Sequence, residues 1–259
     1  MDRQAMLASF DEQLRCNPRP SDPRTIVERE AHLTRLIEPG GWAGILWCDL
    51  EGLVAEEVIA REIERFAEVP GEWEWKHYSY DAPAELPEHL IAAGFKPEQP
   101  ETVLVADLAG QALGGELPEG VSIELLTDPS EVRSLLEMLD GVFGEGVRGL
   151  EQAMLEGIRR EPPSTLAMAA MLEGVPIAGG RVELDGSEFA GLWGGATVPE
   201  WRHRGIFRAL VARGAALAAQ RGRRYGQVDA LDTSRPILEG LGFIELAKTR
   251  PYTYAGATV

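Results

Sequence analysis

Cysteine is nearly absent. Cys16 and Cys48 are the only two in 259 residues, which provides neither a disulfide framework nor ligand spacing for a metal. Reduced thiols in a cytoplasmic protein are the expectation, with no metal site. Long apolar runs are missing too. The longest, Leu166 to Leu172, falls far short of the roughly 18–20 residues that span a bilayer, so no membrane partner is expected. Met1 to Asn17 mixes Asp2, Asp11 and Glu12 with Arg3 and Arg15, without the basic start and apolar middle of a secretory signal. Basic residues are scarce: Lys+Arg 25 against Asp+Glu 42, a net charge of −17. Such a field repels phosphate backbones, which argues against a nucleic-acid partner and favours a cationic one. Apolar material is ample. At 44% hydrophobic and 26% charged, the chain has enough for a core, and disorder, collagen and coiled coil are excluded.

The charge is unevenly spread. Residues 1–110 hold 10 basic and 22 acidic residues, net −12, and the remainder holds net −5. Six arginines fall between Arg202 and Arg223. A local basic cluster in an acidic chain suggests a site for a small anion. Gln111 to Gly120 carries three glycines and a proline and reads as a linker. It divides the sequence into an N-terminal domain, residues 1–110, and a second domain, residues 121–259.

In the first domain, Asp22-Pro23 reads as an N-cap with a first-turn proline, opening a helix to Ile37. Trp42 to Leu50 and the alternating Trp73 to Tyr78 read as strands, with a helix at Glu56 to Glu68 between them. Pro87 to Ala93 is a short helix stopped by Gly94, and Thr102 to Leu108 a strand. The second domain opens on the strand Val121 to Leu125. Asp128-Pro129-Ser130-Glu131 then has the form of a capping box. A second helix at about Leu150 to Arg159 precedes strands at Thr165 to Leu172, Pro176 to Leu184 and Phe189 to Val198. Helix Ile206 to Arg221, strand Tyr225 to Ala230, helix Arg235 to Glu239 and strand Phe243 to Thr249 complete the order.

The stretch from Thr197 to Leu210 carries the chemistry. A strand ends at Val198, an arginine-rich loop follows, and a helix starts near Gly205. The first amides of a helix are unpaired, and the positive end of its dipole lies behind them. Gly205 lets a ligand approach that backbone, while Arg202, Arg204 and Arg208 add formal charge. This is the composition of a pyrophosphate cradle.

Val198-Pro199 followed by Arg202-x-x-Gly205-x-Phe207 resembles the acetyl-CoA-binding motif of the GNAT acyltransferases. Phe207 departs from the small residue usual at its position. Ser234 to Phe243 resembles the family's helix ending in Leu-Gly-Phe. The resemblance covers about residues 121–253. It implies an α/β (α+β) fold, a mixed, splayed sheet flanked by helices, and an N-acetyltransferase that moves acetyl from acetyl-CoA to a primary amine of a small-molecule acceptor. A non-catalytic acyl-CoA-binding module of the same fold is the alternative. The cofactor would then lie along Ala196, Thr197 and Val198 and on Arg202, His203, Arg204, Gly205, Ile206, Phe207 and Arg208. Pantetheine would pair with the open strand edge, and an N–H near Val198 would meet the developing oxyanion. The family's usual acid, a tyrosine four residues before the Gly of Leu-Gly-Phe, is replaced by Leu238. Ser234 and Tyr252 are the substitute donors, Asp229 and Glu183 the candidate bases, and Leu238→Tyr is expected to restore some acid assistance if its ring fits.

His89 to Phe95 repeats the shape of Ile237 to Phe243, with Leu90 and Leu238, and Phe95 and Phe243, both offset by 148. The first domain therefore reads as a degenerate copy in a tandem arrangement. Its loop, Cys48 to Leu53, has two carboxylates and no arginine, so it is not expected to hold the cofactor. That domain is expected either to wall the acceptor site or to form a homodimer.

Overall fold

The structure, a computed structural model, describes residues 2–109, 116–144 and 150–256. It divides into two compact units: Met1–Val103 with Asp229–Thr233 and Glu245–Val259, and Leu104–Val228 with Ser234–Ile244. The division differs from the expected one at residues 111–120, of which 111–115 lie outside the described residues. Its cause is the last strand, which pairs within the first unit.

The first unit opens with helix α1 (Arg3–Phe10), capped by Asp2, whose carboxylate accepts from the Gln4 N–H at 3.0 Å. A π-helical turn, Asp11–Cys16, follows. The expected helix from Asp22 to Ile37 is instead a hairpin of β1 (Ile26–Arg29) and β2 (Leu33–Ile37), paired antiparallel. Asp22 caps a turn: its side chain accepts from the Arg24 N–H at 2.8 Å and its carbonyl from the Thr25 N–H at 3.1 Å. The β-branched Ile26, Val27, Thr34 and Ile37 suit strands, and Leu33 to Leu36 are buried in succession, a demand that no one-sided helix meets.

Strands β3 (Ala43–Cys48) and β4 (Glu72–Tyr78) flank helix α2 (Ala55–Arg65). They run parallel, paired at Gly44↔Glu74 and Ile45↔Trp75. Helix α3 (Leu86–Ala92), the short β5 (Lys96–Pro97) and β6 (Glu101–Asp107) follow. The C-terminal strand, β12 (Ile244–Ala255), runs six residues beyond the expected Thr249 and pairs antiparallel with β4 from Thr249↔Tyr78 to Ala255↔Glu72. Alternation along β4 sends Trp73 and Trp75 into the core, where Trp73 stacks on Phe66 at 4.2 Å and meets Phe95 edge-on at 5.0 Å.

In the second unit, β7 (Val121–Leu126), β8 (Thr165–Leu172), β9 (Val175–Glu183) and β10 (Phe189–Thr197) form an antiparallel run. The strand β11 (Tyr225–Ala230) adds parallel to β10. Helices α4 (Pro129–Phe143) and α5 (Glu151–Arg159) pack on one face. The capping box of α4 forms as its sequence requires: Asp128 accepts from the Ser130 N–H at 2.8 Å, and Glu131 reaches back to the Asp128 N–H. A Cβ at Gly179 on β9 would run into Leu135 of α4, so that face admits no side chain there. Helix α6 (Ile206–Gln220) covers the other face, with Gly214 close against Met168, Val182 and Leu192. Helix α7 (Arg235–Glu239) completes the unit. Among the described residues, no helix is long and apolar enough to cross a membrane.

Candidate functional site

Strands β10 and β11 pair only at Phe189↔Tyr225, Ala190↔Gly226 and Gly191↔Gln227. Beyond Gly191, β10 runs on to Thr197 with no ladder partner on that edge among the described residues. Its pairing with β9 shifts between Trp193 and Ala196, a bulge at Gly194-Gly195. Gly194 adopts φ +64°, open mainly to glycine. One strand thus carries both an open edge and an interruption.

Past Thr197, a 3₁₀ turn (Pro199–Trp201) leads to the arginine loop, and Gly205 caps α6 at φ +80°. Among the described residues, a Cβ at Gly205 would meet only the Glu116 carbonyl oxygen, at 3.5 Å. The arginines are held by neutral groups. Arg202 Nε donates to the Thr197 carbonyl at 3.1 Å, Arg204 stacks over the Trp201 ring at 4.5 Å, and Arg208 Nη2 donates to the Gly240 carbonyl at 3.0 Å, joining the first turn of α6 to the end of α7. None of the three pairs with a carboxylate among the described residues. His203 stands beside them, exposed, at φ +61°. The buried hydroxyl of Thr197 has no hydrogen-bond partner among the described residues, and a group so desolvated is costly to leave unpaired.

The N–H of Val198 itself donates to the Ile177 carbonyl at 3.0 Å. Phe207 leans on the bulge, where a Cβ at Gly195 would come within 2.8 Å of its ring. The departure from a small residue at 207 is thus matched by a glycine opposite.

The structure does not bring the candidate acids and bases together in one unit. Ser234 lies in the second unit, and its carbonyl, rather than its hydroxyl, opens α7, accepting from the Ile237 and Leu238 N–H groups at 3.1 Å. Leu238 is fully buried. Asp229 and Tyr252 belong to the first unit. Tyr252 is buried in its core opposite Trp75. Asp229 Oδ2 lies 3.1 Å from Lys76 Nζ, which also donates to Glu101 at 2.6 Å. Burial alone would push the Lys76 ammonium down. Asp229, Glu74 and Glu101 outweigh that and hold it well above the ordinary lysine value. Burial in turn raises the Glu74 and Glu101 carboxyls. Asp229 is therefore a charge partner of the Lys76 ammonium.

Lys76 and Arg181 were passed over in the sequence. Lys76 sits in the aromatic alternation of β4 and reads as its polar face. Arg181 and Glu183 lie two apart on β9, joined by an ion pair from Nε at 2.6 Å; only the strand period i, i+2 signals such a pair.

No family model matches the sequence, and no curated protein resembles it significantly. Solved structures do. A GCN5-related N-acetyltransferase from Kribbella flavida superposes with a TM-score of 0.68 over 98% of this chain and 95% of its own, at 16% identity. One from Sphaerobacter thermophilus gives 0.60 over 90% and 84%, at 14% identity. A tandem GNAT protein from the clavulanic acid biosynthesis pathway gives 0.59 over 99% and 95%, at 15% identity. The fold is that of the GNAT N-acetyltransferases.

Proposed function

We propose that this protein transfers an acetyl group from acetyl-CoA directly to a primary amine, with the acyl donor on the second unit. The observation that carries this reading is the parting of β10 from β11 after Gly191, above a helix N-terminus ringed by arginines. Pantetheine amides suit the open β10 edge, the Thr197 hydroxyl gains a partner, and the pyrophosphate meets the α6 amides with Arg202, Arg204 and Arg208. The reaction then needs a neutral amine and a proton for the departing thiolate. The first unit is a worn copy: β3, α2 and parallel β4 repeat the order of β10, α6 and β11, but the loop between β3 and α2 carries Asp49 and Glu51, which repel phosphate.

Leu238 favours the second reading, an acyl-CoA-binding module without turnover, since no phenol stands at the family's acid position. Calorimetry with acetyl-CoA and thiol release over a panel of primary amines separate the two. Binding with amine-dependent thiol release is expected. Binding without release on any amine supports the module, and absence of binding rejects both. Thr197→Val is expected to lower acetyl-CoA affinity severalfold while leaving the urea midpoint unchanged or higher, because it removes a hydroxyl that makes no hydrogen bond among the described residues.

A further inference from the structure

The face of β9 and β10 under α4 carries an arginine whose end is unused. Gly179 faces α4, so the alternation of β9 sets Arg181 and Glu183 on that face, and Arg181 pairs in register with Trp193 of β10. The Arg181 side chain is only 19% exposed, yet its recorded polar contact is from Nε, to Glu183 Oε1 at 2.6 Å. A guanidinium has five N–H donors. Among the described residues, the four on Nη1 and Nη2 have no partner. Nη1 lies over the bulge, 3.3 Å from where a Cβ of Gly194 would stand. The glycine at 194 therefore both permits the positive φ and leaves the arginine end clear. Trp193 bounds the place, its indole lying across Gly191 so closely that a side chain there would overlap it.

An arginine fixed by a carboxylate on its Nε edge, with the donors of its Nη1 and Nη2 without a partner among the described residues, matches a ligand carboxylate, which accepts two parallel N–H bonds. Resting on the acetyltransferase reading above, we infer that Arg181 binds the carboxylate of the acceptor, and that the acceptor is an amine bearing a carboxylate beside it, an α-amino acid or a close relative. Glu183 is a positioning residue: it holds the guanidinium so that the fork faces the bulge. The free amine of such a ligand would lie along the Gly191–Gly195 stretch of β10, the open edge assigned to the acyl donor.

The test compares each common α-amino acid with its own carboxamide, which keeps the amine and removes the negative charge. With acetyl-CoA saturating, the wild-type protein is expected to favour at least one amino acid over its amide by tenfold or more in kcat/KM. Arg181→Gln is expected to reduce that preference to within about threefold through the acceptor KM, with the acetyl-CoA KM and the urea midpoint unchanged. Arg181→Lys, which keeps the charge but not the fork, is expected to recover part of it. Glu183→Gln is expected to raise the acceptor KM severalfold in the same direction. Amides used as well as acids, or a preference that survives in Arg181→Gln, would overturn the inference. If acetyl-CoA fails to bind, the acetyltransferase reading falls, and direct titration of the same pairs decides Arg181. Amino-acid binding that disappears in Arg181→Gln sustains the carboxylate site; no such binding rejects it.

Discussion

Gly205 and Arg202 separate two contributions to the same cradle. Gly205 keeps the α6 amides reachable at φ +80°, while Arg202 adds charge yet makes one neutral hydrogen bond of its own, to Thr197. Charge-assisted bonds to an anion are worth about 1.5–3 kcal/mol. Arg202→Ala and Gly205→Asp are therefore each expected to weaken CoA binding tenfold or more by calorimetry, with folding retained. Asp49→Ala in the first unit is expected to leave it unchanged, and a strong effect there would assign the wrong unit. Leu238 has a different fate from the one its sequence position implies. It is 0% exposed, so a phenol at 238 would overpack a filled site at a cost of about 1–3 kcal/mol. Leu238→Tyr is expected to lower the urea midpoint and to give no gain in thiol release. Recovered turnover at unchanged stability would restore it as the acid position.

At the scale of elements, legibility followed how local the signal was. The capping box at Asp128 and the turn into α6 at Gly205 depend on neighbours within a few residues, and both formed as read. The segment from Asp22 to Ile37 failed because Asp22-Pro23 suits a helix start as well as a turn, while the segment's burial is decided by β3 and by Glu62 of α2, whose Oε1 accepts from Arg35 Nη2 at 2.7 Å. The extent of β12 was illegible for the same reason: nothing near Thr249 announces a partner in β4. Site residues followed suit. The arginine loop is one contiguous segment, whereas Asp229 meets Lys76 across a long stretch of sequence. Arg15, which the sequence offers only as one of the mixed charges of the N-terminal segment, shows how far such contacts reach. Beyond Ile45↔Trp75 the strands β3 and β4 part, and Arg15 closes the gap. Its Nε donates to the Leu46 carbonyl at 2.9 Å, and its Nη2 to both oxygens of Asp81 at 2.7 and 2.9 Å; Asp81 also accepts from the Tyr78 N–H at 2.9 Å. With Asp11 and Tyr80 on Nη1, all five donors are used. Arg15→Met leaves Asp81 buried and unpaired, so a loss of about 3–5 kcal/mol is expected in urea unfolding. Adding Asp81→Asn should return part of it, and a loss under 1 kcal/mol would show the bridge to be dispensable.

Across the whole molecule, buried titrating groups make the folded state sensitive to acid in two opposed ways. Burial raises the Glu74 and Glu101 carboxyls. The folded state therefore binds their protons more tightly than the unfolded chain does, and the penalty of keeping them ionised is relieved as pH falls. His77 acts in the other direction. Burial, with Arg15 next, lowers its pKa from 6.5 to about 4. Below pH 6.5 the unfolded chain charges this histidine while the folded protein keeps it neutral, so stability is lost as pH drops from about 6.5 towards 4 and no further below it. Between pH 7.5 and 5.0 that loss is about 1.5 kcal/mol, after discounting for a ring that solvent partly reaches. His77→Gln removes this contribution and leaves the carboxyls as they are. The variant's unfolding free energy, measured in urea at a series of pH values, is expected to gain on the wild type steadily through that window. Parallel curves for the two proteins would mean that His77 titrates in the folded state as it does in a free peptide.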